Sequence, residues 1–369
     1  VTSPLSARRL VVKVGSSLLV SADGQPRREW LDSLSADLAR LRSAGTEVIV
    51  VSSGAIALGR PVLGLPAGAL PLEQKQAAAA VGQIRWAAAW AESLGKQHLT
   101  AAQILLTLDD TESRRRYLNA RSTVAALLAQ GAVPVVNEND TVGTTEIRFG
   151  DNDRLSARVA VMASAETLVL LSDVDGLYTA DPRRDPDARH VPLVEDITPE
   201  IEAMAGGVGS AVGTGGMVSK LVAAKIANHA GCSVVLAKGE GLHPLRAIEN
   251  GGRCTRFVAR ASPHGARKHW IAASLGVTGV ITVDEGALQA LLQGRSLLPA
   301  GVRAVEGRFE RGDAVLVRSL DGRDLAKGLV AYDAGDAQRI AGLRSEDIER
   351  TLGYRGRDVL IHRDDLVLL

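Results

Sequence analysis

Six short apolar runs between residues 10 and 240 constrain this chain more than any other feature. RLVVKVG, EVIVVSSGA, TAAQILLT, AVPVVNEND, ETLVLLSD and SVVLAKG each hold four to seven apolar residues and stop abruptly at glycine or a polar residue. Near-continuous hydrophobicity of this length suits strands covered on both faces. Helical stretches separate them. Trp30, Leu31, Leu34, Leu38 and Leu41 follow one helix face, with Gly45 just past its end. Residues 73–94 (EQKQAAAAVGQIRWAAAWAESL) are alanine-rich with high helix propensity, and 115–130 closes at Gly131. Strand–helix alternation at this period predicts the α/β class, a mostly parallel sheet sandwiched by helices. Such sheets bind ligands at the carboxyl ends of their strands, where this sequence concentrates its polar, glycine-bearing turns.

The texture changes after about residue 260. RKHWIAAS, GVITVD and DAVLVRS read as short strands, with turns at Glu306-Gly307, Arg311-Gly312-Asp313 and Asp321-Gly322-Arg323, and one helix over 284–293 interrupts them. The expected organisation is an α/β domain over 8–260 and a small β-rich domain over 275–369, which suits a length of 369 residues. A formal net charge of +1 gives no electrostatic mandate for nucleic acid or an acidic membrane. Cys232 and Cys254 cannot build a disulfide framework or a four-cysteine zinc site. No apolar run approaches the roughly 20 residues needed to span a bilayer, and VTSPLSARRL lacks a signal-peptide core. A cytoplasmic protein with no membrane partner is expected.

Chemistry can sit at four places. Lys13 ends the first strand in VVKVGSS, followed by Gly15, so backbone amides can approach an anion beside an ammonium group; a lysine snorkelling from a strand end is the alternative. Ser52-Ser53-Gly54-Ala55 closes the second strand before a helical turn and suits either an anion contact or a serine cap. Asn137-Glu138-Asn139-Asp140 ends the fourth strand, and Gly150-Asp151-Asn152-Asp153 follows. These side chains could accept from the ammonium of a zwitterion, or cap the helix expected over 154–164. The strongest region runs from Gly206-Gly207-Val208-Gly209 through Gly213-Thr214-Gly215-Gly216-Met217 into SKLVAAKIANHA, with Lys220 expected in the first helical turn. Free glycine amides, a helix N-terminus and a lysine make a phosphate cradle. It is neither a Walker A loop, whose pattern is absent from the chain, nor a dinucleotide fingerprint, since it follows a loop.

Other signals lead nowhere. His362-Arg363-Asp364-Asp365 mimics a protein-kinase catalytic loop, but the required asparagine and metal-binding segment do not follow. The seven histidines show no paired metal spacing, and no G-x-S-x-G elbow exists. Two lysines, glycine-rich turns and carboxylates at strand ends, with no evident nucleophile, describe phosphoryl transfer. A carboxylate acceptor is already anionic at pH 7 and needs no general base. The residues alone stop at a kinase of a small anion.

VVKVGSS, VSSGAIALG, VVNENDTV, EIRFGDNDRLSA, LLSDVDGLYTADPR and GTGGMVSK, in this order, resemble the glutamate 5-kinase branch of the amino acid kinase family from about residue 10 to 260. The likeness continues through a PUA-like C-terminal domain carrying ITVDEGA, SLLPAGV, GRFERGD and HRDDL. The resemblance implies the amino acid kinase fold and ATP-dependent phosphorylation of the L-glutamate side-chain carboxylate, the first step of proline synthesis. It implies that Lys13 and Lys220 neutralise the transferring phosphoryl group and that Asp153 holds them. Ser53, Asp140 and Asn152 match glutamate-binding positions, with Gly54, Asn137 and Asp151 nearby. Ser172-Asp173 and the segment Thr214, Gly215, Gly216, Met217, Val218, Ser219 and Lys220 match ATP-binding positions, Lys13 also facing the nucleotide, and Mg2+ would ride on the ATP phosphates with no metal site of the protein's own.

It further implies feedback inhibition by proline, a homo-oligomer, and possible handover of product to glutamyl phosphate reductase. Ser16 and Ser172 stand where threonine is frequent in the family, and Val218-Ser219 replaces a small or hydroxylated pair before Lys220. The amide cradle survives that replacement, though nucleotide contacts could change. The alternatives are a sister kinase of another small carboxylate or carbamate, and an RNA-linked role for the second domain. Residues 275–369 carry 13 Arg and Lys against 15 Asp and Glu, a net of −2, with Phe309, Tyr332 and Tyr354 the aromatic residues there. RNA binders usually present a basic surface, so a structural or regulatory appendage is the expected reading.

Overall fold

The computed structural model describes residues 3–143, 151–205, 215–274 and 276–369. The chain divides into two compact units, Val1–Pro263 and His264–Leu369. In the first unit the strands are β1 (Arg9–Val14), β2 (Glu47–Ser52), β3 (Ala101–Leu106), β4 (Val133–Glu138), β5 (Thr167–Ser172), β6 (Leu177–Tyr178), β7 (His190–Val191), β8 (Leu193–Val194), β9 (Ser233–Lys238) and β10 (Cys254–Phe257). The helices that start in it are α1 (Ser16–Leu19), α2 (Arg28–Ser43), α3 (Ala55–Gly59), α4 (Leu72–Gly95), α5 (Leu108–Glu112), α6 (Arg114–Ala129), α7 (Asp151–Met162), α8 (Pro199–Met204), α9 (Gly215–His229), α10 (Pro244–Glu249) and α11 (Pro263–Ser274).

Eight of these strands form one sheet in the order β3-β4-β2-β1-β5-β9-β10-β8. The six runs singled out in the sequence are its six mutually parallel strands. Strand β10 runs against its neighbour β9, and β8 runs with β10. The order reverses around β1, which lies between β2 and β5, and that reversal opens a crevice at the carboxyl ends of the central strands.

Side-chain parity then decides which helix layer each strand residue meets, because successive residues face opposite sides of a sheet. Leu10, Val12, Val14, Val48, Val50, Val133 and Val135 pack with Trp30, Leu34, Trp86 and Trp90, under α2 and α4. Val11, Ile49, Val51, Val136, Leu168 and Leu170 pack on the other side with Leu155, Val159, Leu221 and Ala224, under α7 and α9. With both faces covered, the central strands have no room for alternating polar residues. β3 departs from this expectation. It is an edge strand, and Gln103 and Leu105 are exposed in it.

Helices α3 and α4 touch backbone to backbone. A Cβ on Gly82 would stand 1.8 Å from the Ala55 carbonyl oxygen, and one on Gly59 would stand 1.9 Å from that of Ala78. We expect Gly82→Ala to cost about 1–3 kcal/mol, as overpacking of a tight core does. Chemical unfolding measures it, and an unchanged midpoint would contradict this close crossing.

The second unit is built on β11 (Gly279–Val283), β12 (Val302–Gly307), β13 (Ala314–Ser319), β14 (Asp324–Val330) and β15 (Ile361–Leu368), ordered β12-β11-β13-β14-β15. Helices α12 (Glu285–Leu292), α13 (Ala334–Ile340) and α14 (Ile348–Leu352) accompany them. The sequence reading expected α12 alone and missed the two others, which are only seven and five residues long. RKHWIAAS, expected as a strand, lies in helix α11. Pro263 suits a first helical position, and in that run only Ile271 is β-branched, ahead of two alanines that favour helix. Phe309 and Tyr332 are buried in this unit's core, while Tyr354 is exposed. Among the described residues no helix is long and apolar enough to cross a membrane.

Candidate active site

Parity places Lys13 on the α7–α9 side of the sheet, with Val11. There its ammonium Nζ lies 2.6 Å from Oδ1 of Asp153, the third residue of α7. Lys220 reaches the same carboxylate from α9, its Nζ 3.3 Å from Asp153 Oδ2. The Ser219 hydroxyl also donates to Oδ2, at 2.7 Å. Three elements distant in sequence thus converge on one carboxylate, and Lys13, Asp153 and Lys220 are each less than a tenth exposed. Burial pushes the Asp153 carboxyl up, but the ammonium groups of Lys13 and Lys220, aided by the Ser219 hydroxyl, outweigh it and hold its pKa below the usual carboxylate value. The group is one carboxylate shared by two cations, a net charge of +1 over these three buried side chains. An anion is the natural occupant.

Lys220 sits farther into its helix than expected. α9 begins at Gly215, so Gly216, Met217, Val218 and Ser219 are helical and Lys220 lies in the second turn. From there its Nζ also donates to the Gly216 carbonyl at 3.1 Å. Val218 faces outward, 43% exposed. Thr214, Gly213 and the Gly206–Gly209 cluster lie outside the described residues, as do Gly150 and the EIRF preceding it.

A second polar group occupies the ends of β2 and β4. The Asn152 side-chain amide donates to the Ser53 hydroxyl at 2.7 Å. Gly54, with φ of 127°, holds the turn into α3, where a Cβ would press on Leu19 at 2.9 Å. Asn137 is 1% exposed and donates through Nδ2 to Gln83 Oε1 at 2.9 Å. The buried oxygens Oδ1 of Asn137 and of Asn152 have no hydrogen-bond partner among the described residues. Asp140 lies in the turn after β4. Asp151 opens α7, so Asp151, Asn152 and Asp153 belong to the helix itself, which starts three residues before the expected 154.

At the end of β5 the Ser172 hydroxyl donates to Asp173 Oδ1 at 2.8 Å. Partial burial raises the Asp173 carboxyl, and that hydrogen bond with the nearby Lys220 and Arg183 charges brings it below the ordinary value. Asp173 and Met217 both line a cavity of about 510 Å³ that continues along Asp175, Gly176, Tyr178 and Lys238. A volume of this order accommodates a nucleotide-sized ligand. Tyr178 and Asp175 of its wall form a hydrogen-bonded cluster with Arg253. Sequence reasoning missed this cluster and Gln83. The tyrosine and aspartate stand in the quoted LLSDVDGLYTADPR, whereas nothing near Arg253 marks it.

Residues 8–238 match the amino acid kinase family and residues 279–352 match the PUA domain. A glutamate 5-kinase of Paramagnetospirillum magneticum is 62% identical over 368 residues, 99% of each chain. Glutamate 5-kinases of Agrobacterium fabrum and of a Bradyrhizobium species are 58% and 60% identical, each aligned over 98% of this chain and over 93% and 96% of their own lengths.

Proposed function

This chain belongs to the amino acid kinase family, and we propose on that premise that it transfers the terminal phosphoryl group of ATP to the side-chain carboxylate of L-glutamate. The product is L-glutamyl 5-phosphate, and the reaction opens proline biosynthesis. The observation that carries the reading is the Lys13–Asp153–Lys220 group, set beside a polar cluster of Ser53, Asn152 and Asn137.

An oxygen of the glutamate carboxylate attacks the terminal phosphorus. The bond from that phosphorus to the bridging oxygen breaks, and the electron pair leaves with ADP. No proton need be removed, since the acceptor is ionised at neutral pH. What the protein must supply is position and charge. Lys13 and Lys220 would neutralise the oxygens of the transferring group, and Asp153 would keep both ammonium groups aimed. Ser53, Gly54, Asn137, Asp140, Asp151 and Asn152 form the proposed acceptor side. Ser172, Asp173 and the segment 214–220 form the nucleotide side, supported by the cavity that Asp173 shares with Met217. Mg2+ is proposed to ride on the ATP phosphates, where it would add charge neutralisation when bound.

Free thiols at Cys232 and Cys254 fit a reducing cytoplasm. Proline, the end product, is the proposed feedback inhibitor, and a homo-oligomer the proposed assembly. An acyl phosphate is prone to hydrolysis, which favours handover to a glutamyl phosphate reductase. For the C-terminal unit a structural or regulatory use is favoured over RNA, because Phe309 and Tyr332 are buried, which leaves Tyr354 alone of these three aromatics available for base stacking.

ATP-dependent hydroxamate formation with hydroxylamine tests the function. We expect signal with L-glutamate and none with L-aspartate or N-acetyl-L-glutamate. Signal only with another acceptor would keep the kinase and overturn the substrate, and silence with all three from folded, ATP-binding protein would overturn both.

A further inference from the structure

Helix α4 carries no residue of the proposed constellation, yet four of its side chains end on the segments that do. Gln76 Nε2 donates to the Gly143 carbonyl at 3.0 Å, just past the turn that bears Asp140. Gln83 Oε1 accepts from Asn137 at 2.9 Å. The indole N–H groups of Trp86 and Trp90 both donate to the Ser52 hydroxyl, at 3.2 Å each, and that hydroxyl donates to the Ser53 carbonyl at 3.2 Å. Parity explains the meeting. Ser52 continues the Val48–Val50 face and Asn137 the Val133–Val135 face, both under α4. Lys13 belongs to the opposite side of the sheet.

We propose that Gln83 is a positioning residue for the amino acid acceptor, acting through Asn137; the proposal rests on the kinase reading above. A helix that needed only to cover β4 would place an apolar side chain at 83. Ala79 and Trp86, one turn to either side, are such residues, 2% and 0% exposed. A glutamine there instead leaves its own Nε2 buried without a partner among the described residues, as is Oδ1 of Asn137. Rotating both amides does not remove the imbalance, since the pair then retains one spare donor and one spare acceptor in exchanged positions, and rotating one alone would set two donors or two acceptors against each other. Buried amides in this state weaken a fold. Their retention at a strand end that adjoins Ser53 and Asn152 is accounted for if the glutamine fixes which way the Asn137 carboxamide faces the acceptor.

A double-substitution cycle with the full chain decides it. Gln83→Met keeps an unbranched side chain of similar length without the amide, and Gln83→Ala, a good helix former, is measured beside it. Each is expected to raise the KM for glutamate tenfold or more, with the KM for ATP changed less than twofold. In an Asn137→Ala background the same change at 83 should have no further effect on glutamate KM. Unchanged glutamate KM in the single variants would overturn the proposal, as would effects at 83 and 137 that multiply independently. Parallel rises in both KM values with a lowered unfolding temperature would mark Gln83 as merely structural. If the unsubstituted enzyme prefers another acceptor, the substrate reading fails by itself, and the cycle is run on that acceptor with the same non-additivity required.

Discussion

Lys220→Ala is expected to fold normally and to lose turnover by on the order of 10²-fold or more, the scale observed when one preorganised donor to a transition state is removed. That corresponds to about 2.7 kcal/mol of barrier, at about 1.36 kcal/mol per tenfold. The fold should survive for local reasons. Alanine is the best helix former, and Asp153 keeps Lys13 at 2.6 Å and Ser219 at 2.7 Å. Catalysis should not survive, because in the proposed reaction the ammonium group, 8% exposed, would sit where charge spreads over the phosphoryl oxygens. An interaction that strengthens in the transition state lowers kcat more than it raises the KM for ATP. Circular dichroism and steady-state kinetics check both halves. A well-folded Lys220→Ala with near-normal kcat would remove Lys220 from the mechanism.

Much of this arrangement is legible in the sequence alone, and the physical reason is parity. VVKVG, VVNEN and LLSD each switch from apolar to polar at a strand end, and a buried parallel strand can change character nowhere else. Lys13 and Asn137 are therefore readable as residues of the carboxyl edge. Which side of the sheet each faces also follows from counting by two, but only once the helices are assigned to layers. That assignment depends on the crossover from β4 to β5 past β1, which no local pattern encodes. Helix α4 shows the same limit. Its alanine run signals helix so strongly that Gln83, Trp86 and Trp90 read as incidental, although they are its bonds to Asn137 and Ser52. The depth of Lys220 in α9 was misjudged because Gly215 and Gly216 are poor helix formers. Tertiary packing of Leu221, Ala223 and Ala224 carries the helix through them.

Asp153→Asn separates binding from turnover most sharply. In the parent, one carboxylate holds two ammonium groups, at 2.6 and 3.3 Å. Asparagine keeps the shape and removes the charge, so Lys13 and Lys220 face each other without a counter-ion. Removing one member of a buried ion pair costs about 3–5 kcal/mol, and the lower end is expected here because two mobile lysine stems can turn away. The sign of the pH dependence follows from the lowered pKa. The Asp153 contribution is complete above the ordinary aspartate value of 3.8 and is lost as pH falls through the depressed one. The stability gap between parent and Asp153→Asn should therefore be full at neutral pH and close in acid. Nucleotide binding should move the other way. A crevice with an added positive charge attracts the ATP phosphates at least as well as before, so ligand-induced stabilisation by ATP should be undiminished or larger. Turnover should nevertheless fall about 10²-fold, since the ammonium groups would lose the aim that the proposed mechanism requires of them. Thermal unfolding with and without ATP, across pH, reads stability and binding, and hydroxamate formation reads turnover. Asp153 has no orienting role if kcat stays near normal, and it is a direct nucleotide contact if ATP stabilisation collapses together with turnover in a folded variant.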